Sequence, residues 1–291
     1  MSSTSCSTSS SSNESLVGDI PIVCYHSSEE THGSTDDLVH AVLAGNIPRV
    51  RHLSEIGFVV SVADSWVVYQ ACLQGIRMMY ALNMNPRSKL NRVMPWQMGD
   101  RVFHFLLRTP SDRFLGSKVL AIVYLIQHGA HVLEKDRLGN TALHILAEVP
   151  TQDDTDGFGI AKALLDKDDG NFVSESTREA CISHIDNRNT PLEAGEGSTA
   201  LMNAVTHGHV EYAQVLLEHG ANPHLIGPLY QPPLYHAVIR DFPAVASVLL
   251  KFGAVVTKEI EEEIRSSEMA EIIQGYKENQ AYSGSPEVSG E

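Results

Sequence analysis

Tryptophan occurs twice and cysteine four times among 291 residues, and bases are scarce, 21 against 36 acids for a net charge of −15. A surface built to grip phosphate backbone needs the opposite balance, so no nucleic-acid partner is expected. Cys6, Cys24, Cys72 and Cys181 stand too far apart for a metal knuckle or a Cys-x-x-Cys redox pair, which points to reduced thiols. Long apolar runs are also missing. The longest, Val119 to Ile126, spans eight residues. A bilayer needs about 20, so no membrane association is expected. The first 15 residues hold nine serines and no apolar core segment, which argues against a secretory signal and for a cytoplasmic or nuclear chain. Catalytic signatures are absent too. Gly116-Ser117-Lys118 lacks the upstream glycine and strand of a phosphate loop, and no Gly-x-Ser-x-Gly elbow occurs. Asp153, Asp154 and Asp156 lack the later Gly and Glu of a calcium loop.

What is present is an ordinary globular composition, 43% hydrophobic and 20% charged, which excludes collagen-like and wholly disordered chains. Charge is uneven. Met1 to Ser34 holds four acids and no Lys or Arg, and Lys258 to Glu291 holds nine acids against three bases. Residues 1–34 and 278–291 read as solvated tails, too polar to offset the entropy of ordering. The body between them carries an internal period. A shift of 33 residues superposes Leu201 on Leu234, Ala204 on Ala237, Leu216-Leu217 on Leu249-Leu250 and Gly220-Ala221 on Gly253-Ala254. Each unit has an apolar stretch, a polar break at Gly208 or Asp241, and a second stretch closed by Gly-Ala. Glycine suits a left-handed helix terminus, so the unit reads as helix, turn, helix, hairpin.

In this pattern the chain resembles the ankyrin-repeat family. The residues that carry the resemblance are Thr141-Ala142-Leu143-His144-Ile145-Leu146-Ala147, Thr199-Ala200-Leu201-Met202-Asn203-Ala204 and His219-Gly220-Ala221-Asn222-Pro223. His128-Gly129-Ala130 and Gly253-Ala254 add two helix ends, and Gly208-His209 matches the family's inter-helix turn. The resemblance implies an all-α solenoid of stacked helix-turn-helix units with β-hairpin fingers. About six degenerate units are expected over 35–257, with insertions near 109–115, 150–157 and 166–198. Ile260, Ile264, Met269, Ile272 and Ile273 are spaced for one apolar face, so 258–277 reads as a polar-faced helical cap.

The resemblance also implies a concave groove along the first helices, where a protein partner lies. In the family's register the groove positions are His40 and Ala44, Gln70 and Gln74, Ile145 and Val149, Asn203 and His207, His236 and Arg240. Residues four apart share a helical face, so each pair points the same way. The candidate binding residues are therefore His40, Gln70, Gln74, Asn203, His207, His236 and Arg240, with Tyr230 on the finger ahead of the last pair. Trp66 and Trp96 flank the second unit and read as core fillers, with anchoring of a partner as the alternative. His128, His144, His209 and His219 occupy positions where the family favours histidine, so they need no catalytic role. His207, His209 and Glu211 offer three donors without a fourth, so no metal and no other cofactor is expected. The expected function is that of a monomeric, non-catalytic protein-binding adaptor. The alternative is a groove-sited enzyme or small-molecule binder in which His207 or His236 moves a proton beside Arg240 or Asn203.

Overall fold

Helix starts in this chain are written in short polar side chains. The Asn46 carboxamide accepts the Arg49 N–H at 3.1 Å, and the Ser117 hydroxyl accepts the Leu120 N–H at 3.3 Å. Thr199 accepts from Met202 at 3.2 Å and Thr257 from Ile260 at 3.4 Å. Each satisfies an N–H that the first helical turn leaves unbonded. The computed structural model describes residues 35–58, 65–82, 101–148, 155–167, 173–190, 197–227 and 230–283. The tail 1–34, Trp96, Val149 and residues 284–291 lie outside the described residues.

The described helices come in pairs. α1 (Thr35–Leu43) precedes α2 (Ile47–Glu55), and α3 (Ser65–Leu73) precedes α4 (Ile76–Ala81). α5 (Val102–Arg108) and α6 (Lys118–Gln127) follow, then α7 (Ala142–Glu148) and α8 (Thr155–Leu165). An additional helix, α9 (Glu175–Ser183), comes before α10 (Ala200–His207) and α11 (Val210–Glu218). α12 (Pro233–Ile239) with α13 (Pro243–Lys251) and α14 (Lys258–Glu262) with α15 (Ser267–Ser283) complete the order. The first helices pack in the row α1, α3, α5, α7, α10, α12, α14. The second helices α2 and α4, α4 and α6, α6 and α8, α8 and α11, α11 and α13, and α13 and α15 pack as a parallel row. α9 leans on α8.

Small and branched residues let the rows close up. Ala204, Ala213, Ala237 and Ala246 are wholly buried, as are Leu216 and Leu249 in the second row. Each fully buried Leu or Val contributes about 1.5 to 3 kcal/mol relative to exposure, so layers adhere through their neighbours. Between helices the turn is tight. Gly208 closes α10 at φ 77°, a left-handed cap, and a Cβ there would meet the Phe242 ring at 3.2 Å. Asp241 repeats that left-handed turn at φ 56°, and the Ser266 hydroxyl donates to its carboxylate.

The fingers differ from the hairpins that the resemblance implies. Among the described residues no strand forms, and an isolated antiparallel bridge joins Arg188 to Thr199. Side chains reinforce the few backbone bonds there, such as Thr190 N–H to the Leu138 carbonyl at 2.9 Å: the Asn189 carboxamide donates to Asn140 Oδ1 at 2.9 Å and accepts the Ser198 N–H at 2.8 Å. Gly139, at φ 77°, lets neighbouring fingers touch, because a Cβ there would lie 2.5 Å from the Thr190 nitrogen. Two segment boundaries also differ from those expected, and the 166–198 insertion is partly helical. Helix α8 already includes Thr155 to Gly157, the 166–198 stretch contains α9, and α15 continues past Lys277 to Ser283.

The packing fixes a test. Leu216→Ala and Leu249→Ala should each lower unfolding free energy by about 2 to 5 kcal/mol in urea titrations, the range for cavities in a dry core. Unaltered midpoints in both variants would mean that the register is wrong.

Candidate functional site

The groove positions divide into two separated groups. His40 is exposed on α1, while Gln70 on α3 and Gln74 just past its end are half-buried, and the Gln74 carboxamide donates to the Val42 carbonyl in the preceding layer. α5 and α7 stand between these and the second group. On adjacent helices α10 and α12 the structure brings together Asn203, His207, His236 and Arg240. Their exposure is not uniform. His207 and Arg240 are exposed, but Asn203 and His236, expected to face a partner, are buried. Each lies one residue ahead of a core alanine, at a position that neighbouring layers cover in this part of the stack. Ile145, at the equivalent place in α7, is buried as well.

The buried Asn203 ties layers together. Its Nδ2 donates to Glu148 Oε1 at the end of α7, 3.0 Å away, and its backbone carbonyl accepts from His207 Nδ1 at 2.8 Å. With Nδ1 donating in that bond, Nε2 is the acceptor of the neutral ring. Arg240 forms no ion pair among the described residues. Tyr230, 62% exposed ahead of α12, has φ 56°. A left-handed backbone is costly for a bulky residue, of order 1 to 3 kcal/mol, and such strain concentrates at functional positions.

Sequence reasoning missed the charged groups beside this row. The Asp136 carboxylate is buried and accepts from Arg108 on α5, from the Leu138 N–H at 2.8 Å and from the Asn140 N–H at 2.7 Å. Burial alone would raise its pKa; the Arg108 guanidinium and the two backbone donors outweigh that and hold it below the usual carboxylate value. Glu148 behaves in the opposite sense. Burial pushes its carboxyl upward, Arg108 and His207 pull it down and Asp136 adds to the rise, with a net upward shift. Arg108, Asp136, Glu148, Asn203 and His207 thus form a polar strip across α5, α7 and α10. The available signal was positional. Glu148 and Arg108 end their helices one residue short of the groove register, where Thr206 stands in α10.

The buried histidines are tethers. His144 Nδ1 accepts from the Thr141 hydroxyl at 2.9 Å, and its Nε2 donates to the Ser198 carbonyl at 3.1 Å. Burial holds this imidazole neutral, with a pKa of about 4. His104 repeats the arrangement in α5, accepting from the Arg101 N–H at 3.4 Å and donating to the Glu134 carbonyl at 3.0 Å. Arg101 there replaces the motif's threonine, which hid the equivalence in the sequence. His128 and His219 each bond the carbonyl one turn back, at 2.7 and 2.8 Å. Burial, reinforced by His207 across a ring separation of 5.7 Å, lowers the pKa of His209. Among the described residues no three His, Cys, Asp or Glu side chains converge on a common point for a metal ion. Cys72 and Cys181 are buried thiols, pushed by burial to about 12 and about 11, so both stay protonated. Trp66 packs partly buried against Tyr69, ring centroids 5.2 Å apart.

An open recess of about 630 Å³ lies between the finger Gly129 to Glu134 and α9, bordered by Ile126, Ser176, Thr177 and Ala180. None of the groove residues lines it. No helix among the described residues is long and apolar enough to cross a membrane.

The strip has a pH signature. Asp136→Asn should destabilise the chain by about 1 to 3 kcal/mol at neutral pH, because Arg108 and two backbone N–H groups lose a charged acceptor. Since folding lowers the Asp136 pKa, its contribution is complete above the unfolded value near 4 and fades as pH falls through the lower folded value. Urea titrations from pH 7 to pH 3 should show the two proteins converging in acid. A gap that widens on acidification would contradict the ion pair.

Residues 120–260 match the family model of ankyrin repeats, in three copies. No curated protein matches the chain. Ankyrin repeats generally mediate protein–protein interactions. With two rows of packed helices, left-handed inter-helix turns and histidine tethers between layers, the chain is an ankyrin-repeat protein.

Proposed function

We propose that the chain is a non-catalytic adaptor that holds a protein partner along its first-helix row, with the contact centred on α7, α10 and α12. The observation that carries this reading is the bonded strip Glu148, Asn203 and His207, continued by the unpaired Arg240 on the next helix. Asn203 and the Glu148 carboxylate hold each other in place, so a partner meets groups whose geometry is already fixed. Such pre-organisation lowers the ordering cost of association. His207 offers an acceptor, Arg240 a cation and Tyr230 an aromatic ring on the adjoining finger. Tyrosine and arginine are the side chains that dominate binding energy in interfaces. His40, Gln70 and Gln74 extend the same row towards the first layers and would serve a long partner segment. A cytoplasmic or nuclear monomer suits this role.

Photo-reactive benzophenone side chains at position 207 or 240, compared with positions 211 and 247 on the second-helix row, test the assignment. Cross-linked partners should form from the first two positions. His207→Ala with Arg240→Ala should weaken capture of the partner so identified at least tenfold, with helical circular dichroism intact. Cross-links confined to 211 and 247, or capture unchanged in the double variant, would refute it.

A further inference from the structure

On the second-helix row, large apolar side chains are exposed on and beside α4 and α6. Tyr80 on α4 is 62% exposed, Leu120 on α6 is 57% exposed, and Leu115 just ahead of α6 is 79% exposed. Tyr80 meets Tyr124 edge-on, ring centroids 4.9 Å apart, and Leu120 lies one turn before Tyr124 on the same helix face. The Leu115 N–H donates to the Leu73 carbonyl at 2.7 Å, which anchors Leu115 where α3 turns into α4. Single exposed leucines are common, but a cluster of large apolar groups marks a contact surface.

Arginines border this cluster. Arg77 lies one turn before Tyr80 on α4, and Arg113 ends the short 3-10 turn Ser111–Arg113, two residues before Leu115. Arg51 holds the same place after its N-cap in α2 as Tyr80 does in α4, and Arg49 accompanies it. α2 packs on α4, and α4 on α6. All four arginines are exposed, and none makes an ion pair among the described residues. Further along, Arg101, Arg108, Lys162, Lys167, Arg265 and Lys277 each pair with a carboxylate. On the elements of the cluster the only acids are Glu55 and Asp112. In a chain of net charge −15, four arginines without an ion pair among the described residues thus stand on the elements that carry the exposed Tyr and Leu or border them.

We infer that the outer face of α2, α4 and α6 is a second docking surface, which takes an acidic segment of a protein partner through apolar anchors set on Tyr80, Leu115 and Leu120. Charge complementarity selects the occupant. Carboxylates answer the four arginines, and the exposed rings and methyls bury the anchors. An anionic bilayer offers both chemistries too, but the net charge of −15 on the whole chain opposes its approach to an extended anionic surface. A peptide segment meets the arginines alone. This face belongs to the second-helix row and shares no residue with the first-helix site. The protein is thereby equipped to bridge two partners.

Fluorescence anisotropy on the full chain tests the inference with a fluorescein-labelled, Glu-rich peptide carrying Leu and Phe four residues apart. The control is the same peptide with Lys for every Glu. The acidic peptide should bind at least tenfold more tightly than the control, and more weakly as salt rises. Arg51→Glu with Arg77→Glu, and separately Leu120→Ser, should each weaken it at least tenfold with unaltered thermal melts. His207→Ala with Arg240→Ala should leave it unchanged. Equal affinity for the two peptides, no binding of the acidic one, or full binding by both outer-face variants would overturn the proposal. So would cosedimentation with phosphatidylserine vesicles, or a concentration-dependent dimer, that the outer-face variants abolish while peptide binding is absent.

Discussion

A helix pair of this length has apolar surface on two sides and can cover neither alone. Every layer is therefore held by the layers before and after it, through leucines and alanines that leave no exposed surface. Apolar contact sets the strength of that adhesion but not its register, since methyl groups tolerate sliding. Polar reach across the gap sets the register. His104 bonds the Glu134 carbonyl, His144 the Ser198 carbonyl, and the Tyr212 hydroxyl donates to the Leu143 carbonyl at 2.8 Å. Each of these atoms is removed from water, so a misaligned layer would strand a buried donor at a cost of about 1 to 3 kcal/mol.

The same economy explains the two faces of the solenoid. On the first-helix row, polar residues are spent partly on one another: Asn203 on Glu148, Arg108 on Asp136. What faces outward there is a remainder: His207, held by the Asn203 carbonyl, and Arg240 on the next layer. On the second-helix row near α4, Arg49, Arg51, Arg77 and Arg113 have no carboxylate partner among the described residues. An arginine with no carboxylate beside it keeps its full hydration until something acidic arrives, and its guanidinium offers a planar fork that suits a carboxylate.

How far this was legible in the sequence depends on whether the signal was local or relational. Leu216-Leu217 and Leu249-Leu250 repeat at a fixed offset, and both fold into the same place in consecutive layers. Thr199 and Gly208 write their own helix start and turn, since capping needs only nearby atoms. The burial of Asn203 and His236 was not written locally. It depends on how closely neighbouring layers approach, and the polarity of the residue gave the opposite hint. The Arg108 to Asp136 pair joins different layers, and nothing in either segment names the other. His104 was hidden for a different reason: its tether uses the backbone N–H of Arg101 where the recognisable motif has a threonine hydroxyl.

The helix α9 interrupts the chain between α8 and α10, yet α7 and α10 pack directly, as if nothing had been inserted. Closing a longer loop costs little, about 0.6 kcal/mol for each doubling of its length, so the strip from Glu148 to His207 survives the excursion. Layer geometry is thus decoupled from chain length at this junction. Natural variation or an engineer has a port there through which whole modules can be grafted onto the flank of the solenoid without disturbing its grip.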